Sequence, residues 1–221
     1  MNGRFIIVGA GSVAPSDLNF EKKPGDFICA ADAGFLAINE AGLKPDLVIG
    51  DFDSMAEKAL FEAYSGNDPG RSALPFELLR LPVEKDDTDT VFCVREGFRR
   101  GYRNFVIYGG LGGSRLSHTV ANLQLLTMIR DLGGTEKLVQ GSTEVFLLAA
   151  GETAVFPAGQ SGQFSVFSLS EESEVSLTGF YYPLDHGLLT RRFPLGVSNH
   201  FTGNEAQITV HKGEVLVIIE G

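Results

Sequence analysis

Two aspartates follow a strongly apolar segment in the stretch LVIGDFDSM, residues 47–55. One residue separates Asp51 from Asp53, so in an extended chain both side chains point to the same face, about 6.5–7 Å apart. Two carboxylates on one face repel each other unless a cation lies between them. A single aspartate here could simply cap a following helix, but the pair predicts metal or phosphate chemistry at the end of a buried strand.

A second acidic cluster, EKDDTDT, occupies residues 84–90. Asp86 and Asp89 stand three residues apart, which brings them close together at the start of a helix. Asp87 suits the N-cap position of that helix, and acids in a first helical turn are favoured by the helix dipole. We therefore expect Asp87 to be a cap and the other acids to join the first pair in one Mg²⁺ site. The predicted metal ligands are Asp51, Asp53, Asp86 and Asp89.

A glycine-rich turn, GGLGGSRLSHTVAN, spans residues 109–122 between a predicted strand and a predicted helix. Glycines let the backbone approach a phosphate closely, and the start of a helix presents free N–H groups. Arg115 adds a forked donor for phosphate oxygens. The G-x-x-x-x-G-K-[ST] motif is absent, so this turn is not a P-loop. His118 suits either the ligand site or the ordinary surface of the helix.

The segment VGAGSVA, residues 8–14, imitates a dinucleotide-binding motif because it fits G-x-G-x-x-A after a strand, with Asp32 about 20 residues later. Pro15, however, falls where the helix of such a motif should be running. We therefore interpret this segment as a tight turn between a strand and a loop.

The first part of the chain alternates short apolar runs with helical patterns. The apolar runs are residues 4–8, 26–30, 46–50 and 104–108. This alternation predicts an α/β domain with a mostly parallel sheet and helices on both faces. Binding sites in such sheets lie at the carboxyl ends of the strands, where both the first aspartate pair and the glycine-rich turn are placed.

The pattern changes after Gly134, where segments such as TEVFLLA and EVLVIIE read as short strands and no helical pattern appears. A series of this kind predicts an all-β sandwich. We therefore expect an α/β domain over residues 1–133 and a β-sandwich domain over residues 134–221.

The formal net charge of −10 argues against nucleic acid and anionic membranes as partners, because both require a basic surface. Cys29 and Cys93 lie in apolar runs and are expected to be buried free thiols in a cytoplasmic protein. His186, His200 and His211 lack metal-ligand spacing and are expected to be structural.

The order of several segments resembles the thiamine pyrophosphokinase (thiamine diphosphokinase) family. These segments are PDLVIGDFDS, KDDTD, GGSRLSHTVANL, GFYYPL and LGVSNHF. The resemblance implies a catalytic nucleotide- and metal-binding domain, a thiamine-binding β-sandwich, and a homodimer with active sites at the interface. It also implies Mg²⁺-dependent transfer of the pyrophosphoryl group of ATP to the thiamine hydroxyl, giving thiamine diphosphate and AMP.

The resemblance assigns roles to individual positions. The four predicted metal ligands become the catalytic carboxylates. The residues it places at the nucleotide are Asp32, Ser54, Thr88, Arg115, Ser117, His118 and Asn122. The residues it places at thiamine are Tyr182, Ser198 and Asn199, and an aromatic face beside the cationic thiazolium agrees with cation–π attraction.

Several positions depart from the family pattern. Ser117 stands where the family usually has an acid, Tyr182 where tryptophan is frequent, and His200 where an acid is common. Two alternatives stay open at this point: a metal-dependent phosphohydrolase that uses the same acids, and a thiamine- or nucleotide-binding homologue whose turnover is reduced or lost because of Ser117.

Overall fold

The computed structural model describes residues 3–11, 13–51, 75–82, 87–113 and 115–221. The chain divides into two compact units, Met1–Gly141 and Ser142–Gly221. Across the described ranges, no helix combines the length and apolar character needed to cross a membrane.

The first unit contains a sheet with the order β6-β5-β1-β2-β3-β4, in which all paired neighbours run parallel. Its strands are β1 (Arg4–Val8), β2 (Phe27–Ala31), β3 (Leu47–Gly50), β4 (Glu77–Arg80), β5 (Asn104–Tyr108) and β6 (Thr135–Gln140). The predicted apolar runs correspond to β1, β2, β3 and β5. Sequence analysis did not predict β4, because this short strand is largely exposed and carries no continuous buried apolar run.

Helices cover both faces of this sheet, which confirms the predicted fold class. They are α1 (Gly34–Glu40), α2 (Asp89–Arg99) and α3 (Leu116–Asp131), preceded by a short 3₁₀ helix at Pro15–Leu18. On one face, Phe35 of α1 packs in a core with Ile6 and Ile28. On the other face, Gly97 of α2 lies so close to the sheet that an added Cβ would be 2.5 Å from the ring of Phe105. The segment DSMAEKALFEAYSG, residues 53–66, has a sequence pattern that predicts a helix, and it lies outside the described residues.

Cys29 of β2 and Cys93 of α2 are fully buried free thiols, as predicted, with 3.4 Å between their Sγ atoms. Burial raises the pKa of the Cys93 thiol, and the neighbouring Cys29 thiol and the negative charge of Asp89 raise it further. The Cys93 thiol is therefore neutral, and both cysteines are packing residues that join helix to sheet.

The two units divide at a different residue from the predicted domain boundary. The predicted boundary assigned strand β6 to the β-sandwich domain, residues 134–221. In the structure, β6 pairs in parallel with β5 inside the first unit. Its buried residues therefore extend the α/β core, and the division falls between Gly141 and Ser142.

The second unit is an antiparallel β-sandwich, as predicted. Its strands are β7 (Thr143–Ala149), β8 (Thr153–Phe156), β9 (Gln163–Ser168), β10 (Glu172–Thr178), β11 (Leu184–Thr190), β12 (Asn199–His200), β13 (Ala206–Lys212) and β14 (Glu214–Glu220). One layer has the order β12-β9-β14-β7 and the other β11-β10-β13-β8. Alternating apolar residues of both layers form the core, and Phe164, Phe180 and Phe201 make ring contacts within it.

A buried ion pair near the start of β1 provides a pH-dependent contribution to stability. The Arg4 side chain and its backbone N–H both donate to the carboxylate of Asp26. Burial alone would raise the pKa of Asp26, but these bonds and a further one from the Lys23 N–H lower it from 3.8 to about 2.

We expect Asp26→Asn to lower the free energy of unfolding by about 2 kcal/mol at pH 7, the value that corresponds to this pKa shift. Because the folded-state pKa is depressed, the contribution is fully present above the unfolded pKa of about 4 and is lost as the pH falls towards about 2. Urea titrations of the original chain and the variant at several pH values should therefore converge near pH 2. A constant difference across this range would contradict the assignment.

Candidate functional site

The strand order places a crevice at the carboxyl ends of β1 and β5. In the sheet, β2 and β3 lie on one side of β1, whereas β5 and β6 lie on the other side of β1. The chain connections therefore diverge between β1 and β5, which leaves a crevice there. A cavity of about 530 Å³ lies there. It is bounded by the turns after β1 and β5, the end of β2, the start of α2 and the first half of α3. A cavity of this size can hold a nucleotide-sized ligand.

Asp32 follows β2 and lines the cavity. Its backbone has a φ of 51°, and its N–H donates to the carbonyl of Ile49 at 2.7 Å. Gly50 permits this approach, because an added Cβ there would lie 3.0 Å from Asp32 Oδ1. Asp51 comes directly after Gly50, so the structure brings these two acids to neighbouring strand ends.

The start of α2 contributes Thr88 and Asp89 to the cavity wall. Thr88 is the N-cap, with its hydroxyl accepting from the N–H of Val91 at 3.4 Å. The prediction that Asp87 caps this helix is therefore wrong. Asp87 instead forms an ion pair with Arg95, and this charge-assisted bond leaves the cap to the threonine hydroxyl.

The glycine-rich turn after β5 adopts a conformation that requires glycine. Gly109, Gly112 and Gly113 have φ values of 73°, 65° and 83°. Two side chains of α3 hold the turn: Asn122 Nδ2 donates to the carbonyl of Gly110 at 2.8 Å, and Thr119 Oγ1 donates to that of Gly112 at 3.3 Å. The turn can therefore present a fixed backbone surface to a phosphate.

Among the described residues, Arg115 and the N-terminal ends of α2 and α3 bring positive charge to the cavity. Arg115 and His118 both line it, with 3.4 Å between Arg115 Nη1 and His118 Nε2. The first residues of α2 and α3 also lie at the wall, and helix N-termini carry partial positive charge. Ser117 is exposed in the first turn of α3 and is not among the described residues that line the cavity.

Sequence analysis missed the turn after β1 as part of this site. A short 3₁₀ helix at Pro15–Leu18 follows it, where a dinucleotide-binding motif would have a longer helix. Ala10 and Gly11 nevertheless line the cavity. An added Cβ at Gly11 would lie 2.2 Å from the carbonyl oxygen of Gly109, so the two turns are in close backbone contact. The contact between the two turns can be recognised only from the pairing of β1 with β5 in the sheet.

Asp32, Asp51 and Asp89 offer carboxylate oxygens, the ligand type that hard divalent cations prefer, at or beside the cavity. Asp53, Ser54 and Asp86 lie outside the described residues. Within the ranges that the structure does describe, no three His, Cys, Asp or Glu side chains are arranged to hold a metal ion.

The residues predicted at thiamine form a group in the second unit. Asn199 is buried, and its amide bonds both the N–H and the carbonyl of Tyr182, at 3.0 and 2.8 Å. Ser198 has a φ of 60°, and its N–H donates to Ser165 Oγ at 3.2 Å. The ring of Tyr182 is largely exposed. The structure therefore brings Tyr182, Ser198 and Asn199 together.

Two family models match the chain. The model described as thiamin pyrophosphokinase, catalytic domain, matches residues 21–134, just over half of the chain. The model described as thiamin pyrophosphokinase, vitamin B1 binding domain, matches residues 158–215. The first match contains most of the described cavity wall, and the second contains the group around Tyr182.

Individual relatives agree with these matches. A curated thiamine pyrophosphokinase of Bacillus subtilis (strain 168) is 27% identical over 188 residues, which cover 85% of this chain and 84% of that protein. The crystal structure of thiamin pyrophosphokinase from Geobacillus thermodenitrificans has a TM-score of 0.81 at 26% identity, covering 99% and 97% of the two chains.

Solved structures with lower sequence identity share the same fold. The crystal structure of thiamine pyrophosphokinase from Bacillus subtilis has a TM-score of 0.83 at 22% identity, covering 99% of both chains. That of thiamin pyrophosphokinase from Candida albicans has a TM-score of 0.73 at 13% identity, covering 98% of this chain and 89% of that one. Together with the family models, these findings show that the chain belongs to the thiamin pyrophosphokinase family of enzymes.

Proposed function

We propose that this enzyme transfers the pyrophosphoryl group of ATP to the hydroxyl of thiamine, forming thiamine diphosphate and AMP with Mg²⁺. The observation that carries the proposal is one cavity in which carboxylates, a fixed glycine backbone and an arginine meet. A triphosphate with its cation requires this combination of negative, polar and positive groups.

In the proposed mechanism, the nucleotide occupies the cavity of the first unit. Arg115 and the N–H groups of the glycine-rich turn neutralise phosphate oxygens, and His118 lies beside Arg115. Asp51, Asp53, Asp86 and Asp89 are the proposed Mg²⁺ ligands, and Asp32 lies at the strand end next to that of Asp51. Bound Mg²⁺ would offset the charge that develops on the phosphate oxygens.

The acceptor in this proposal binds at the second unit, where Tyr182 presents an aromatic face to the cationic thiazolium. Positioning the hydroxyl in line with the β-phosphorus supplies much of the rate acceleration expected for such a transfer. A carboxylate of the acidic set would accept the hydroxyl proton. We also propose the cytoplasm, a reducing compartment, as its location, because both cysteines are buried free thiols.

The decisive experiment incubates the protein with ATP, thiamine and Mg²⁺ and identifies the adenine product. AMP that forms only when thiamine is present, and that disappears with EDTA, is the expected result. ADP would indicate an ordinary kinase, and phosphate released without thiamine would indicate a phosphohydrolase. If ATP and thiamine bind but no product forms, Ser117→Asp tests whether the missing acid is the cause.

We also propose a homodimer with active sites at the subunit interface. Exposed apolar side chains in the second unit support an interface there, since Phe193 is 65% exposed and Tyr182 60% exposed. We expect light scattering coupled to size exclusion to give twice the chain mass of 23.8 kDa. A concentration-independent monomer mass would contradict the dimer.

A further inference from the structure

The amide of Asn199 makes three hydrogen bonds to backbone groups. Its Oδ1 accepts from the N–H of Tyr182 at 3.0 Å and from that of His200 at 2.9 Å, and its Nδ2 donates to the carbonyl of Tyr182 at 2.8 Å. Asn199 is also only 4% exposed. A side chain in this state has little surface left with which to contact a ligand.

The ring of Tyr182 depends on its backbone for its position. Because the residue is 60% exposed, few core contacts fix it. Its main ring neighbour is Tyr181, which meets it edge to face at 4.9 Å and is itself stacked on His200 at 4.4 Å. The Asn199 amide is bonded to the backbone N–H groups of both Tyr182 and His200. It therefore fixes the backbone positions of two of the three rings in this contact.

We infer that Asn199 is a positioning residue for the acceptor, acting through Tyr182 and not by contact with thiamine. The inference rests on the proposed function, in which Tyr182 faces the thiazolium. A cation–π contact depends on the distance and direction of the ring. A shift of the Tyr182 backbone would therefore weaken acceptor binding while leaving the nucleotide cavity in the first unit unchanged.

Asn199→Asp tests this role with almost no change in shape. The substitution replaces the donor to the Tyr182 carbonyl with an acceptor, so two oxygens face each other. We expect the KM for thiamine to rise about tenfold, whereas kcat and the KM for ATP stay within about twofold. Asn204→Asp is the matched control, since Asn204 is exposed and its Nδ2 donates to Thr202 Oγ1.

A double-mutant cycle separates positioning from direct contact. If Asn199 acts only through the Tyr182 ring, then Asn199→Asp adds less than about twofold to the thiamine KM in a Tyr182→Ala background. A further tenfold rise in that background would show direct contact and overturn the inference.

Spectroscopy provides a readout besides turnover. The chain has no tryptophan, so its near-UV circular dichroism comes largely from tyrosine and phenylalanine. We expect Asn199→Asp to change the tyrosine band while Asn204→Asp does not. If Asn199→Asp fails to fold, Asn199→Ala, which also removes the donor, is measured in the same cycle. If Asn199→Asp leaves both the tyrosine band and the thiamine KM unchanged, the inference is overturned. If the wild-type chain makes no AMP from thiamine and ATP, the proposed function itself is overturned.

Discussion

Asp89→Ala is expected to lower thiamine-dependent AMP formation by at least about 100-fold, the usual effect of removing a group that stabilises transition-state charge. Asp89 is the first residue of α2 and lines the cavity. Losing an acid from a first helical turn costs only about 0.5 kcal/mol, so the melting temperature should fall by a few degrees at most. The measurement is steady-state AMP production together with thermal unfolding.

A neighbouring residue supplies the control for this experiment. Asp87 lies two positions earlier, but its carboxylate is engaged by Arg95. Asp87→Asn should therefore retain most of the activity. Asp89→Asn should also raise the Mg²⁺ concentration that gives half-maximal activity, because a ligand charge is lost. Activity near the original level in Asp89→Ala would show that this carboxylate has no role in the reaction.

Gly11→Ala is expected to impair both stability and nucleotide binding. The added Cβ would lie 2.2 Å from the carbonyl oxygen of Gly109, and a backbone atom cannot move aside as a side-chain tip can. Separating the two turns should cost about 1–3 kcal/mol in the free energy of unfolding. Because both turns line the cavity, the KM for ATP should rise about tenfold, as expected when ligand contacts are lost.

Gly9→Ala is the matched control within the same turn. An added Cβ at Gly9 would meet its nearest atom, the carbonyl oxygen of Tyr108, at 3.4 Å, which is an ordinary contact. We expect urea titration and ATP kinetics of this variant to resemble those of the original chain. Equal effects of the two substitutions would show that the close approach of Gly11 to Gly109 is not the cause.

Much of the fold was predictable because local sequence patterns determine it. Apolar runs predicted β1, β2, β3 and β5, and glycines at positions 42, 101 and 133 lie just after the ends of the helices. These glycines have positive φ values, which glycine adopts without steric cost. Strand β4 was not predictable in this way, because an exposed edge strand needs no apolar pattern.

The sequence by itself determined the chemical groups available: carboxylates after two strands and before a helix, a glycine-rich turn, and an arginine beside it. The tertiary structure alone decided which of them meet. Parallel pairing of β1 with β5 brings Gly11 against Gly109, the ion pair of Asp87 with Arg95 leaves Thr88 to cap α2, and the fold of the second unit directs Asn199 to the backbone of Tyr182. The physical reason is that spacing along the chain fixes the direction of a side chain only within one element, whereas contacts between elements depend on strand order and packing.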